Sequence, residues 1–131
     1  MEDRRTFLGL AAASLLPVGL DAQAPEQKGR GILARHPLTG PFEGYDALLV
    51  EASRTFGPAP PHRHSGPILG YVLEGQLRFA LEHEPAHVVP TGGTFFEPHG
   101  ALHTTNEAAS PNADARFLVF TVVPKGSGLA G

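Results

Sequence analysis

The sequence contains no cysteine among its 131 residues. This absence excludes disulfide bonds, thiolate metal ligands and a lipidated cysteine behind an export signal. A basic excess is also lacking, because the formal net charge at pH 7 is -3 and charged residues make up only 18% of the chain. Binding to a nucleic-acid backbone depends on clustered positive charge, so we do not expect nucleic acid as a partner.

Long apolar runs are equally scarce, and the longest apolar stretch lies near the N-terminus, at residues 6–20 (TFLGLAAASLLPVGL). A helix that crosses the bilayer core needs about 20 residues, so no membrane span is expected in the mature protein. The stretch follows two arginines and precedes AQA at residues 22–24, which has the small-x-small form of a cleavage site. Because DRRTFLG resembles a twin-arginine export signal, we predict a signal peptide over residues 1–24 and a periplasmic or secreted protein. The alternative is an amphipathic N-terminal helix of the folded domain.

Turn-forming residues are abundant, with 16 glycines and 13 prolines. They separate short runs rich in β-branched and aromatic residues, which is typical of an all-β fold. No helix-length apolar period follows residue 25, and the chain is long enough for one core only. We predict six to eight strands closed into a small barrel or jelly roll over residues 45–124. A linker with a first edge segment precedes it at residues 25–44, and a C-terminal tail follows at residues 125–131.

Two glycine-containing turns lie between neighbouring β-runs. Glu74-Gly75 separates YVLE from QLRFALE, and Thr91-Gly92-Gly93 follows HVVP. Glycine adopts positive φ without a Cβ clash, as tight hairpin turns require. Each turn therefore predicts a β-hairpin.

The histidines contain the first sign of a functional site. Seven are present, at positions 36, 62, 64, 83, 87, 99 and 103, and a surface position is the default for each. His62 and His64 differ because residues i and i+2 of a strand point to the same face. Two imidazoles on one face can bind one cation at about 2.0–2.1 Å. Two surface histidines near a proline-rich bend fit this pair equally well.

The segment GGTFFEPHGALHTTN, residues 92–106, adds a second motif. Four of its residues have the spacing G-x5-P-x-G-x2-H: Gly92, Pro98, Gly100 and His103. Together with Gly57-x4-His62-x-His64 and the closing Gly75, this segment resembles the two signature motifs of the cupin superfamily, with Asn106 one residue early. The resemblance covers residues 45 to 123. It implies an all-β double-stranded β-helix that pairs as a homodimer through its sheets.

The resemblance also implies a metal centre with one unusual position. It assigns His62, His64 and His103 as ligands of a divalent transition metal, whereas the family's fourth ligand, a Glu, is replaced by Ile68. Three neutral imidazoles leave the metal a stronger Lewis acid with open positions. Imidazole suits Fe, Zn, Cu and Ni, and the lost oxygen ligand disfavours Mn. The alternative is a barrel that no longer needs its metal.

Two further residues are candidate catalytic groups. Glu97 and His99 flank Pro98 close to His103, where either side chain can support the metal, replace the missing ligand or move a proton. Glu74 belongs to a turn and is expected to be structural. The histidines at positions 36, 83 and 87 are expected at the surface.

Three functions follow from these residues. The first is a metal-dependent enzyme acting on a small organic molecule, with dioxygenase-like oxidoreductase chemistry ahead of isomerase, decarboxylase or lyase chemistry. The second is a non-catalytic ligand-binding or sensory cupin whose metal is structural or absent, which Ile68 favours. The third is a structural or partner-binding role through sheet edges. One fold supports many chemistries, so the sequence leaves the substrate open.

Overall fold

The computed structural model describes residues 31–130. These residues form eight strands and one short 3-10 turn, Gly40–Phe42. The strands are β1 Gly31–Pro37, β2 Tyr45–Arg54, β3 Ile68–Glu74, β4 Leu77–Leu81, β5 His87–Val89, β6 Thr94–Glu97, β7 His103–Ala108 and β8 Ala115–Pro124. The all-β prediction is confirmed. Within this range no helix is long and apolar enough to cross a membrane. The predicted export signal, residues 1–24, lies outside the described residues.

The strands form two antiparallel sheets that enclose one core. The five-stranded sheet has the order β1-β2-β8-β3-β6, and the three-stranded sheet has the order β5-β4-β7. The burial of β8 alternates strictly from residue to residue, so one face of the strand is buried and the other is not. The two sheets face each other because this arrangement removes their apolar faces from water. The core is made largely of aliphatic and phenylalanine side chains: Leu48, Val50, Ile68, Val72, Leu77, Phe79, Phe95, Phe117, Val119 and Val123.

Both predicted hairpins are wrong, because each glycine turn carries the chain from one sheet to the other. Strand β3 pairs with β6 and β8, whereas β4 pairs with β5 and β7. Gly75 and Gly92 do adopt the positive φ expected for them, at 69° and 84°. A Cβ on Gly75 would also lie 2.2 Å from the carbonyl oxygen of Asp114. The turn chemistry was therefore readable from the sequence, but strand pairing depends on residues far apart in the chain.

The outer face of the five-stranded sheet carries four exposed apolar side chains that we call the outer apolar row: Leu49, Phe120, Leu69 and Phe96. They are successive register partners on β2, β8, β3 and β6. Between 37% and 55% of each residue is exposed. Phe79, Phe95 and Phe117 lie in the core instead. The strand alternation thus divides the phenylalanines between a core face and a surface face.

Candidate metal centre

Backbone pairing brings the two histidine motifs together. His62 and His103 form an isolated antiparallel bridge, in which each backbone N–H donates to the other carbonyl, at 3.1 and 2.8 Å. His64 forms a second bridge, to Ala130. The chain from His62 to His64 is extended, so both imidazoles of the HxH motif point towards His103. One ring nitrogen from each histidine lies within 4.8 Å of the others, so the structure brings together the three predicted metal ligands.

Two backbone carbonyls fix which nitrogen of the HxH pair faces the cluster. Nδ1 of His62 lies 3.3 Å from the Pro60 carbonyl oxygen, and Nδ1 of His64 lies 3.2 Å from that of Leu129. A carbonyl can only accept, so an Nδ1–H donates to it in the tautomer whose Nε2 keeps a lone pair for a metal. The two Nε2 atoms are 3.0 Å apart. At this distance two lone pairs would repel each other unless a proton or a metal ion lay between them.

The third imidazole, that of His103, is buried. Only 2% of the residue is exposed, and neither ring nitrogen has a hydrogen-bond partner among residues 31–130. Burial lowers the pKa of His103 to about 4, and the neighbouring His62 and His64 add to this shift. The backbone of Thr105 acts weakly in the opposite direction without forming a hydrogen bond of normal geometry. His103 is therefore neutral at pH 7, the form that binds a metal.

Glu97, one of the two predicted catalytic residues, reaches the cluster. Its Oε2 lies 3.3 Å from Nδ1 of His103, and its Oε1 lies 3.6 Å from Nε2 of His64. Burial raises the pKa of Glu97 to about 7, although the positive charge of Arg54 partly opposes this shift. Between pH 4 and pH 7 the contact with His103 consequently joins two neutral groups and is not an ion pair.

The other candidate residues lie away from the cluster. His99 is exposed on the loop after β6, and the histidines at positions 36, 83 and 87 are exposed as well. Glu74 pairs with Arg116 on the surface, which holds the pKa of its carboxyl below the usual range. Ile68 points into the barrel with 1% exposure and offers no ligand atom.

Sequence reasoning missed Arg54, and it named Asn106 only as a motif residue without a role in the site. The Arg54 guanidinium carbon is 5.9 Å from the centre of the Phe117 ring. With the Asn106 amide oxygen turned towards it, Arg54 donates from Nε at 2.8 Å and Nη2 at 3.1 Å. Burial lowers the pKa of Arg54, and the charge of Glu97 opposes that shift. Alternation along β2 was the available signal, because it places Arg54 on the same face as the buried Leu48 and Val50.

The comparisons with known proteins agree with this geometry. Residues 54–121 match the model of the cupin domain family. No curated protein matches the sequence. Among solved structures, a conserved Klebsiella pneumoniae protein with a double-stranded β-helix domain is 15% identical, with a TM-score of 0.54, over 84% of this chain and 90% of that chain. Protein NMB1881 from Neisseria meningitidis is 14% identical, with a TM-score of 0.50, over 74% of this chain and 84% of that chain.

A larger protein is also similar in part. FeII HppE is 23% identical, with a TM-score of 0.48, over 60% of this chain, and the match spans only 42% of its own length. At 15% identity the Klebsiella pneumoniae structure shows the fold alone, which is the predicted double-stranded β-helix. The family match is more specific, because it spans more than half of the chain and includes both histidine motifs. The chain therefore belongs to the cupin family.

Proposed function

We propose that this cupin binds a divalent transition metal through His62, His64 and His103 and uses it in an enzymatic reaction on a small organic molecule. The observation that carries the proposal is the 3.0 Å separation of the Nε2 atoms of His62 and His64. Ligands held at about 2.0–2.1 Å by one metal lie about 2.8–3.4 Å apart in octahedral or tetrahedral geometry. When bound, the metal supplies a Lewis acid and open positions for substrate or dioxygen.

The surrounding side chains suit such a reaction, for which we put dioxygenase-like oxidoreductase chemistry first and isomerase, decarboxylase or lyase chemistry second. The Phe79 ring centre lies 4.6 Å from that of His103, so an apolar ring packs against this imidazole and excludes water from that side. Glu97 can hold or release a proton near pH 7, as a general acid or base requires, or it can ligate the metal. Fe, Zn, Cu and Ni suit the imidazoles.

A second candidate function is a ligand-binding or sensory cupin without catalysis. The observation that favours it is Ile68, an apolar residue at the position where the family pattern has a ligand carboxylate. In this reading the barrel holds a small molecule, and the metal is structural or absent. Measured metal content separates the enzyme from a cupin without metal, and oxygen consumption separates it from a cupin whose metal is structural.

Two properties of the whole protein belong to the same proposal. The sequence DRRTFLG supports export to the periplasm or the medium. The outer apolar row supports a homodimer, because contiguous exposed apolar surface usually marks a site of association. The opposing row of a second copy has matching chemistry, as a two-fold interface requires.

The deciding experiment is elemental analysis of the mature protein purified without chelators. We expect one transition metal per chain in the wild type and in His99→Ala, and none in His103→Ala. Oxygen consumption is then measured on the metal-containing protein with small phenols, diketones and thiols. Wild-type protein without stoichiometric metal would refute the enzyme, and metal retained by His103→Ala would refute the ligand assignment.

A further inference from the structure

Glu97 is the direct neighbour of the position where the family carboxylate is missing. It is the register partner of Ile68 across β6 and β3, and both side chains are buried, with 2% and 1% exposure. Adjacent strands lie about 4.8 Å apart, a distance that a glutamate side chain can bridge. A carboxylate on β6 can therefore occupy space that a carboxylate at residue 68 would otherwise fill.

The contacts of Glu97 are close to the spacing of a metal ligand. Its oxygens lie 3.3 Å from Nδ1 of His103 and 3.6 Å from Nε2 of His64. Neither contact is a hydrogen bond, since Oε1 of Glu97 and both ring nitrogens of His103 are buried without a partner among residues 31–130. Two ligands of one metal lie about 2.8–3.4 Å apart when each bond is about 2.0–2.1 Å, so the His103 distance falls in this range and the His64 distance is slightly longer. The carboxylate thus lies beside two of the three imidazoles without accepting a hydrogen bond from either.

The charges favour the same role. An ionised carboxylate in the barrel interior is costly unless a cation balances it. A divalent metal between the imidazoles would balance Glu97 directly and satisfy the oxygen that has no hydrogen-bond partner. The carboxylate in turn reduces the charge that three neutral imidazoles leave on the metal.

We propose that Glu97 is the fourth protein ligand of the metal, so that this barrel takes its carboxylate from β6 and not from β3. The inference rests on the proposed metal centre. It changes the expected metal, because a carboxylate oxygen makes Mn and Fe better suited to the site than three imidazoles alone. It also removes one open position, and any proton transfer during a reaction then falls to another group.

Cobalt(II) alone is the probe for this ligand set, since its visible d–d bands depend on coordination number. Affinity is measured by competition with a chelator for the wild type, Glu97→Gln and the control Glu107→Gln. Glu107 is a β7 carboxylate whose neighbour is Arg78, at 3.7 Å. We expect Glu97→Gln to lose more affinity than the about 10–100-fold that loss of a supporting residue costs, with changed d–d bands. The control should match the wild type.

A double variant separates a ligand from a positioning residue. Ile68→Glu/Glu97→Gln moves the carboxylate back to β3, and we expect it to regain most of the lost affinity and the wild-type bands. Bands unchanged in Glu97→Gln, with or without a loss of affinity, would overturn the inference. If Glu97→Gln fails to fold by circular dichroism, Glu97→Asp replaces it, because it keeps the charge but shortens the reach.

The same data distinguish this inference from the proposed function. A wild type that binds no Co²⁺ refutes both. A wild type that binds Co²⁺, together with His103→Ala that does not and Glu97→Gln that is identical to the wild type, refutes the role of Glu97 alone.

Discussion

Phe95 on β6 lies with its ring directly against Gly70, its register partner on β3. A Cβ on Gly70 would lie 2.1 Å from Cζ of Phe95, so the ring occupies the space that any larger residue would need. Phe95 and Glu97 are alternate inward residues of one short strand, so this contact lies two residues from the side chain that reaches the histidine cluster.

Gly70→Ala should therefore destabilise the barrel. We expect a loss of about 1–3 kcal/mol, the usual cost of overpacking a filled core, measured by urea unfolding. Gly128→Ala is the matched control, because a Cβ there meets no atom within 4 Å. In the double variant Gly70→Ala/Phe95→Leu, the smaller side chain at position 95 leaves room for the new Cβ, so part of the lost stability should be recovered. A stability of Gly70→Ala equal to that of the wild type would show that the Phe95 ring is free to move.

The stability of the metal-free protein should depend on pH through Glu97 and His103 together. The pKa of Glu97 rises from 4.5 to about 7 on folding, so its contribution to stability is present below pH 4.5 and lost as the pH rises to about 7. The pKa of His103 falls from 6.5 to about 4, so its contribution is present above pH 6.5 and lost as the pH falls to about 4. Between pH 4.5 and pH 6.5 these two contributions change the free energy of unfolding in opposite directions as the pH changes, so they offset each other.

Glu97→Gln removes the pH dependence of stability that Glu97 contributes. In chelator-treated protein we expect the stability of Glu97→Gln, relative to the wild type, to fall as the pH is lowered from 6.5 to 4.5. In the wild type the folded state holds one proton at Glu97 that the unfolded state has lost, and the variant lacks this difference, which limits the relative slope to about 1.4 kcal/mol per pH unit. Urea unfolding at three pH values measures it, and groups that titrate in both proteins cancel. Parallel pH profiles for the two proteins would contradict the buried, neutral pair.

The outer apolar row should hold a homodimer together. Phe120 is its central member, with register partners Leu49 and Leu69 on either side. Because it is 46% exposed, Phe120→Glu should change the stability of a single chain by about 0.5 kcal/mol or less but should abolish pairing. Sedimentation velocity should give a dimer for the wild type and for the control Phe42→Glu, which lies outside the row. A dimeric Phe120→Glu would place the interface elsewhere.

Residues 129 and 130 should support metal binding through backbone atoms. The Leu129 carbonyl accepts from Nδ1 of His64 and from the backbone N–H of Ser65, at 3.2 and 3.0 Å. A chain shortened to residue 127 loses this acceptor, and we expect its Co²⁺ affinity to fall about 10–100-fold, as for other groups that orient a ligand. A chain ending at Ala130 is the control. Equal affinities would mean that His64 keeps its orientation without the tail.

The features that the sequence predicted are those set by short-range spacing. Only Arg63 separates His62 from His64, and alternation alone sends both imidazoles to one side. The turn at Gly75 was likewise visible because positive φ is a local requirement. In both cases the physical cause lies within a few residues of the effect.

The features that the sequence did not reveal depend on distant partners. The pairing of Ile68 with Glu97, and the contact of Arg54 with Asn106, join residues from different strands of the closed barrel. The same is true of the carbonyl that orients His64, because backbone atoms leave no mark on residue type. Even alternation, which divided the phenylalanines into two faces, could not say which face was the core.

The bond between His64 and Leu129 has a consequence for the order of events during synthesis. The two residues are 65 positions apart, and translation at about 5–20 residues per second separates them by roughly 3–13 s. During that interval the HxH motif exists without the carbonyl that turns Nε2 of His64 towards its neighbours. The bond that orients His64 can therefore form only after Leu129 has been synthesised, seconds later than the HxH motif itself.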